Sequence, residues 1–529
     1  MSDGLDAIEL EIVRTQLAGV AEEMGDVLIR GAYSPNIAER RDCSTAIFAA
    51  DGRLLAQAEH IPVHLGAMPD AVDAVRKRDP EPGDVFVLND PYTGGTHLPD
   101  LTMVSPVVHG ERIVAYAASR AHHADVGGMA PGSMPAGARD IFQEGLRIPP
   151  TRLVAGGEVR QDIEELVLAN VRNPAERRAD LRAQRAANDR GGERIADLLA
   201  EHGERLRSAF DAVIEYSRER VEGEIAALPD GRYEARDVLE GDGITDADVP
   251  IEVTVTIDGD AMDVDFAGTA EQVAGNVNAP LSVAKSAVYF VVRCVTDPDV
   301  PPNQGCYDPV TVSAPKGSLV NPEPPAAVVG GNVETSQRIA DVVFAALGEA
   351  APERVPAAGQ GTMNNLVIGS PAFTYYETIG GGAGATATAD GSDGIQVGMT
   401  NTENTPIEAL EAAFPLRVEA YAIRRGSGGE GERDGGAGLR RSIRLEAEAT
   451  VSLLTERRRH PPAGRAGGGD GATGQNRIDG ERVPAKTTRE VAAGTVVTIL
   501  TPGGGGHGPP DGDAAGNTDS AASDDVGNG

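Results

Sequence analysis

The hydrophobic period of the chain changes near its middle, and this constrains the fold more than any other feature. Between about residues 162 and 228, apolar side chains recur at helical spacing, which predicts two or three helices with breaks at Gly191–Gly192 and Gly203. The parts on either side contain short β-like runs separated by Gly and Pro turns. This order predicts a mixed α/β (α+β) fold with several domains, a central helical segment and a β-rich C-terminal part.

The length of the chain agrees with several domains. Its 529 residues exceed what one hydrophobic core usually serves. We expect an N-terminal mixed α/β domain over 1–158, a helical segment over 159–230 and a C-terminal mixed α/β domain over 231–502. Residues 503–529 are mostly small and polar and contain almost no apolar side chain, so a disordered tail is expected there.

Individual elements can also be predicted. The pattern predicts helices over about 5–29, 68–76, 282–294 and 335–347. It predicts strands over about 45–49, 85–88, 101–108, 113–118, 251–257, 262–266, 443–445 and 496–500.

The charge balance excludes two classes of partner. Asp and Glu number 81 against 47 Lys and Arg, for a net charge of −34. Nucleic acids and anionic membranes are bound by clustered cations, so neither is an expected partner. Because molar salt shortens the Debye length to about 3 Å, this composition suits a halophilic protein better than an ordinary acidic enzyme. With no apolar run of 18 residues and no leader pattern, we expect a soluble, cytoplasmic protein.

The three cysteines form neither a CxxC pair nor an even framework, so a disulfide scaffold is not expected. Cys43 could be a nucleophile, but a buried, inert thiol is the favoured interpretation.

A glycine-rich loop followed by a predicted strand carries His97 and Asp100, three residues apart. Twenty-two residues after Asp100, a second predicted strand leads into His122, His123 and Asp125. Imidazole and carboxylate together suit Zn²⁺, Mn²⁺ or Fe²⁺ better than Ca²⁺ or Mg²⁺. The HxxD spacing is a weak pattern by itself, and histidines that cap turns or fill polar pockets are the alternative.

Two further polar clusters precede this loop. Arg40 and Arg41 could pair with acids or meet an anionic substrate, and Asp42 is a candidate fourth ligand if the fold brings it near the loop. His60 and His64 lie four apart, but the proline between them argues against a helical metal pair. Pocket or core histidines are expected there.

Two glycine-rich runs resemble phosphate-binding loops, at 380–385 and 501–506. Neither is followed by Lys-Ser/Thr, and neither lies in a strand–GxGxxG–helix unit with a later acid. Glycine-rich turns without a ligand are the favoured interpretation, so the chain has no recognisable nucleotide site.

Taken together, several motifs resemble the hydantoinase B/oxoprolinase family, in the same order along nearly the whole chain, from about 8 to 508. They are Arg30–Asp42, Ala58–Gly66, Asn89–Asp100, Ser119–Gly128, Asn401–Glu408 and Thr501–Gly506. The resemblance implies the B-type, metal-carrying subunit of a two-component enzyme. An A-type partner with an actin-like ATPase fold would bind ATP and Mg²⁺ and phosphorylate the substrate carbonyl, in a heterotetramer or larger complex.

The family's metal ligands match four positions of this chain, and the implied cofactor is Zn, Mn or Fe. His122 is favoured over His123 because it lies at the family's spacing of 25 from the loop histidine, and neighbouring strand residues point to opposite faces. His123 and Asp125 are then the predicted proton-transferring, catalytic groups. The implied ligands are Asp42, His97, Asp100 and His122.

Three functions follow from the resemblance. The favoured one is ATP-dependent hydrolysis of 5-oxoproline, a hydantoin or a related lactam, in which metal-activated water attacks the phosphorylated carbonyl. The alternative is an acetone- or acetophenone-type carboxylase, which would require bicarbonate. The third is a non-catalytic subunit that stabilises its ATPase partner.

Overall fold

A computed structural model describes residues 6–510 of the chain. The helices are α1 (Ala7–Gly31), α2 (Pro35–Ala38), α3 (Met68–Arg76), α4 (Gln161–Ala169), α5 (Pro174–His202), α6 (Arg205–Ala226), α7 (Leu281–Val295), α8 (Gln304–Tyr307), α9 (Ser336–Ala350) and α10 (Ile407–Ala413). The strands of the N-terminal part are β1 (Cys43–Ala49), β2 (Leu54–Glu59), β3 (Val85–Leu88), β4 (Asp100–His109), β5 (Arg112–His122), β6 (Thr151–Ala155) and β7 (Glu158–Val159).

The later strands follow the central helices. They are β8 (Gly231–Glu240), β9 (Asp248–Asp258), β10 (Ala261–Asp265), β11 (Val310–Ser313), β12 (Asn365–Ser370), β13 (Phe373–Glu377), β14 (Leu416–Arg424), β15 (Gly438–Leu445), β16 (Ala449–Leu454), β17 (Gln475–Ile478), β18 (Glu481–Val483), β19 (Lys486–Val491) and β20 (Val496–Leu500). The mixed α/β, multi-domain architecture predicted from the sequence is confirmed.

Seven strands of the N-terminal part form one antiparallel sheet, in the order β2-β1-β5-β4-β3-β6-β7. Both faces are covered. Ile47 and Ala117 pack into the core that contains α1, α5 and α6, whereas Phe48 and Ala118 belong to the larger core that also contains α3, α7 and α9. Burial on both faces explains why β1 is buried along its whole length rather than at alternate residues.

The central helices are α4, α5 and α6, and helix α5 continues through Gly191, where a break was predicted. The glycine serves close packing instead: a Cβ atom there would lie 2.4 Å from the sulfur of Met24 and 3.2 Å from the Cβ of Ala117. The break predicted at Gly203 is confirmed, because this residue ends α5 with a φ of 60°.

Three smaller sheets follow, and the first carries the helices that reach the candidate site. Strands β11-β10-β9-β8 pack against α7 and α9 through residues such as Val253, Val288 and Ile339. The other two sheets, β13-β12-β16-β19 and β14-β15-β20-β17-β18, share a separate apolar core.

Four glycine-rich segments, 380–385, 428–436, 464–471 and 501–506, pack against one another, and we call them the glycine bundle. Their backbones are joined directly: Gly382 N–H donates to Pro502 O (3.0 Å), and Gly504 N–H donates to Gly436 O (2.9 Å). A Cβ atom on Gly504 would lie 1.9 Å from Ala383 O, so only glycine allows this approach. The prediction of glycine-rich turns at 380–385 and 501–506 was wrong about the conformation, because both runs are largely buried and form backbone hydrogen bonds with other segments.

The predicted domain boundary after residue 158 falls within β7, and the boundary after residue 230 lies between α6 and β8, although the division into domains stays a prediction. The predicted tail differs from the structure over its first residues, because 503–506 are buried in the glycine bundle. Residues 511–529 of that tail lie outside the described part. Among the helices of residues 6–510, none is long and apolar enough to cross a membrane.

Candidate metal centre

Strands β4 and β5 form a hairpin that brings the two histidine-bearing segments together. In its register, Asp100 pairs directly with His122, and Leu101 pairs with Ala121. Directly opposed residues of an antiparallel pair carry their side chains on the same face, about 5 Å apart at Cβ. His97, in the loop just before β4, joins them because it precedes Asp100 by only three residues.

The donor atoms of these three side chains converge. His97 Nε2 lies 2.9 Å from Asp100 Oδ1, and His122 Nδ1 lies 3.1 Å from the same oxygen. Ligand atoms bound at about 2.1 Å to one divalent ion are about 3 Å apart when their bonds meet at a right angle. All three residues are buried, with at most 3% of their surface exposed. The spacing therefore fits a transition metal held by two imidazoles and a carboxylate.

An unpartnered polar atom beside these donors supports the same fit. Asn332 Oδ1 is buried and has no hydrogen-bond partner within residues 6–510, and Nδ2 of the same amide lies 3.4 Å from Asp100 Oδ2. A buried polar atom without a partner is costly in a folded protein. The group His97, Asp100 and His122 is also the one cluster of metal-binding side chains found in the described chain.

Three further neighbours surround the Asp100 carboxylate. Thr96 Oγ1 donates to its Oδ2 at 2.7 Å, Asn332 Nδ2 lies 3.4 Å from the same oxygen, and so does Nε2 of His64. Burial opposes ionisation, but the imidazoles of His97, His122 and His64 hold the pKa of the Asp100 carboxyl well below its usual range. The centre therefore offers a carboxylate rather than a carboxylic acid.

The ring of Tyr376 covers the outer side of His122. Its centroid lies 4.7 Å from the imidazole centroid, with 23° between the planes. Tyr376 lies on β13, in the C-terminal part of the chain, and Arg40 fixes that strand by donating to Tyr376 O (2.9 Å) and Thr378 Oγ1 (2.7 Å). The site thus combines residues from the N-terminal and C-terminal parts of the chain.

A π-helical turn, Gly331–Thr335, precedes α9 and delivers two polar side chains to this region. Asn332 faces Asp100, and the buried Glu334 lies two residues further along the turn. Turns of this kind are rare and occur often at functional sites. No periodic pattern or spacing in the sequence links Asn332, Glu334 and Tyr376 to the histidine motifs, so these residues were not predicted.

Comparisons with known proteins agree with these motifs. The model of the family described as Hydantoinase B/oxoprolinase matches residues 6–510. An uncharacterised protein of Methanocaldococcus jannaschii is 41% identical over 517 residues, which cover 96% of this chain and 91% of that protein. The chain belongs to the Hydantoinase B/oxoprolinase family. A second relative, 5-oxoprolinase 1 of Arabidopsis thaliana, is 40% identical over 534 residues; the match covers 95% of this chain but only 42% of that longer protein.

Two solved structures share the fold of this family member. The ATP-dependent caprolactamase from Pseudomonas jessenii superposes with a TM-score of 0.89 at 30% identity, covering 96% of this chain and 92% of that one. The nucleotide-free acetone carboxylase superposes with a TM-score of 0.86 at 19% identity, covering 96% and 76%, and this likeness concerns the fold alone.

Of the four ligands that the family resemblance implied, the structure brings three together, and Asp42 lies beside them. Asp42 O accepts a hydrogen bond from His122 N (3.0 Å), and the Asp42 charge opposes the fall that burial causes in the pKa of His122. The carboxylate of Asp42 is not part of the group whose donor atoms lie within 4.8 Å of one another in the described residues. Its role as a ligand stays a prediction.

The two residues predicted to transfer protons lie elsewhere. His123 points to the opposite face of β5 from His122, where its Nε2 is 2.9 Å from Gln184 Oε1, and burial lowers its pKa to about 4. Asp125 accepts hydrogen bonds from the backbone of Gly127 and Gly132 and pairs with Arg172. These contacts are structural in kind, so the catalytic assignment of both residues stays a prediction without support from the geometry.

The remaining predicted groups have simpler surroundings. His64, for which a pocket or core position was predicted, is hydrogen-bonded to Ser44 Oγ through its Nδ1 (3.0 Å) and reaches the centre. His60 packs beside Gly25 of α1. Arg41 forms an exposed ion pair with Glu403. Cys43 is buried, and burial raises the pKa of its thiol above the usual range, which agrees with an inert thiol.

Proposed function

We propose that this chain is the metal-carrying B-type component of an ATP-dependent cyclic amide hydrolase, acting on 5-oxoproline, a hydantoin or a related lactam. The observation that carries the proposal is the convergence of His97, Asp100 and His122 on one buried point. A Zn, Mn or Fe ion held there would supply Lewis-acid activation of a water molecule or a carbonyl oxygen.

Hydrogen bonds within the chain orient the metal-binding atoms of His97 and Asp100. His97 Nδ1 lies 3.4 Å from Val329 O, so a proton on Nδ1 leaves the Nε2 lone pair facing Asp100 and the centre. The Thr96 hydroxyl donates a hydrogen bond to Asp100 Oδ2, which leaves Oδ1 to face both imidazoles. Complete burial keeps bulk water from competing for the donors.

A separate partner is part of the proposal. The chain covers only 42% of Arabidopsis 5-oxoprolinase 1, which fits a division of that activity between this chain and another subunit. We infer that an A-type ATPase subunit binds ATP and Mg²⁺, phosphorylates the substrate carbonyl and passes the product to this chain.

The experiment is a reconstitution with an A-type partner. We expect the purified complex to contain one divalent transition metal per B-type chain and to open one of three rings, 5-oxoproline, hydantoin or caprolactam, when ATP is supplied. His97→Ala should lose the metal and at least ~100-fold in turnover. His109→Ala, an exposed histidine at the end of β4, is the matched control and should retain both.

Each other outcome contradicts the proposal in a distinct way. Product formation that requires bicarbonate would assign the chain to the carboxylase alternative. A wild-type complex that is active without metal, or a His97→Ala complex with unchanged turnover, would exclude the metal centre. A metal-free B-type chain that only stabilises its partner would support the non-catalytic alternative.

A further inference from the structure

Tyr376 contacts the candidate centre without being a metal-binding side chain. We propose that it is a positioning residue: its ring holds the imidazole of His122 in the orientation that directs Nδ1 toward Asp100. This inference rests on the metal centre of the proposed function and adds to it a residue from the C-terminal part of the chain.

The ring of Tyr376 stacks on the imidazole of His122. The rings of Tyr376 and His122 are nearly parallel at 4.7 Å, a contact that opposes rotation of the imidazole about its side-chain bonds. His122 needs such a restraint, because its Nε2 has no hydrogen-bond partner within residues 6–510. The guanidinium carbon of Arg40 lies 4.8 Å from the Tyr376 centroid, so the ring itself is held by a buried cation.

The hydroxyl group of Tyr376 takes part in a directional chain of hydrogen bonds. Tyr376 OH lies 2.8 Å from Asn365 Oδ1, and Asn365 Nδ2 lies 2.7 Å from Glu334 Oε1 and 2.9 Å from Leu454 O. Two acceptors around Nδ2 fix which end of the amide faces each neighbour. Oδ1 must then face the tyrosine, and the phenolic proton is donated to it.

The direction of the hydrogen bond from Tyr376 to Asn365 decides whether the hydroxyl or the ring of Tyr376 acts on His122. The hydroxyl proton is committed to Asn365, so the hydroxyl serves as an anchor for the ring. Asn365 and Tyr376 lie on the neighbouring strands β12 and β13, with Val367 directly opposite Tyr376, so the sheet register sets the position of the anchor. The ring, rather than the hydroxyl, is the part that acts on His122.

The test measures metal affinity in the full-length chain, with no need for turnover. Metal-free protein is titrated with Mn²⁺, and free Mn²⁺ is followed by electron paramagnetic resonance. Tyr376→Leu should weaken binding about 10-fold or more, the usual effect of removing a group that orients a ligand. Tyr376→Phe keeps the ring, and its affinity for Mn²⁺ should stay within about threefold of that of the wild type. The visible spectrum of the Co²⁺-loaded protein should change in Tyr376→Leu and be kept in Tyr376→Phe.

The matched control is Tyr375→Leu. Tyr375 is the preceding residue, equally buried, and its ring packs on the opposite face of β13 against Phe414, 5.2 Å away. This change removes the same volume and should leave Mn²⁺ affinity and the Co²⁺ spectrum unchanged. If Tyr376→Leu does not fold, Tyr376→Met, whose flexible side chain fills irregular gaps, replaces it with the same expected loss.

The outcomes separate this inference from the proposed function. A wild-type chain that binds no metal would overturn the proposed function itself. Metal binding in wild type with equal affinity in Tyr376→Leu would overturn only the role of Tyr376. Equal weakening in Tyr376→Phe, or in Tyr375→Leu, would also overturn it, because the effect would then belong to the hydroxyl or to general destabilisation.

Discussion

At the scale of single residues, the buried acid Glu144 shows how charge is managed near the centre. Its Oε1 accepts hydrogen bonds from the backbone N–H groups of Val328 and Val329, both at 2.9 Å, and Val329 O in turn lies beside His97. Burial raises the pKa of the Glu144 carboxyl to about 8, although the backbone hydrogen bonds act in the opposite direction. Glu144 is therefore protonated in the folded chain at neutral pH.

This shift predicts a pH dependence of stability. A carboxyl with a folded pKa of about 8 and an ordinary value of 4.5 binds its proton more tightly in the folded state. The stabilisation that this proton provides to the folded state is complete when the pH is below the ordinary pKa. It is lost as the pH rises toward and through the folded pKa. Glu144→Gln should remove this contribution, so that the variant gains stability relative to wild type between about pH 5 and pH 8.

Thermal unfolding of both proteins across this pH range measures the effect. Glu158→Gln, which changes an exposed glutamate on β7, is the control and should follow the wild-type curve. Parallel curves for wild type and Glu144→Gln would contradict the prediction.

The site was only partly predictable at this scale. His97, Asp100 and His122 could be identified because they lie within 26 residues of one another in motifs with a known chemical preference. Asn332 and Tyr376 could not, because each is separated from Asp100 by more than 230 residues and only the tertiary fold brings them together. One sequence without relatives contains no signal for contacts of that range.

At the scale of elements, the close backbone packing of the glycine bundle predicts that a larger residue at its contacts destabilises the chain. A Cβ atom on Gly382 would lie 1.9 Å from Gly436 O and 2.3 Å from Gly504 N, and all of these are backbone atoms that cannot turn aside. Gly382→Ala should therefore destabilise the chain by about 3 kcal/mol or more. The three atoms nearest to the added methyl group belong to the backbone, so no side chain at these contacts can repack to make room for it.

Gly223→Ala is the matched control, because it is exposed within α6 and no atom lies within 4 Å of the position that the added methyl group would take. This change should stabilise the chain by about 0.5–1 kcal/mol, since alanine favours the helix. Denaturant unfolding measures both. Equal effects of the two substitutions would show that the bundle is not closely packed.

The elements themselves were largely predictable. Apolar periodicity located α3, α7 and eight of the twenty strands within residues 6–510, since it reports which face of a helix or strand is buried. It could not identify the glycine bundle or the π-helical turn, because glycine carries no side chain that could form a period and a π turn differs from an α turn by one residue. Gly191 was misinterpreted for a related reason: its close contact with α1 and β5 is tertiary.

At the scale of the whole molecule, charge is the dominant feature. A net charge of −34 makes the folded chain repel itself at low ionic strength. Salt screens this repulsion, and at about 1 M the Debye length is only about 3 Å. The thermal midpoint should therefore rise as KCl increases from about 0.1 M to about 3 M.

Sucrose is the control for this measurement, because it also favours compact states but carries no charge. KCl should stabilise the chain clearly more than sucrose does at concentrations that give the same osmolality. Equal stabilisation by the two solutes would contradict the electrostatic explanation, and with it the prediction of a halophilic protein.

The glycine bundle can form completely only after its last segment has been synthesised. Its four segments leave the ribosome in sequence order, and 501–506, which bonds to each of the other three regions, emerges last. The histidine motifs are made some 400 residues earlier, while Tyr376 lies on β13 directly before the first bundle segment. Since domains generally fold as they are synthesised, the N-terminal sheet can form early. Tyr376, which covers His122, is made about 250 residues after that histidine, so a growing chain would expose its metal-binding side chains at least until β13 has been synthesised.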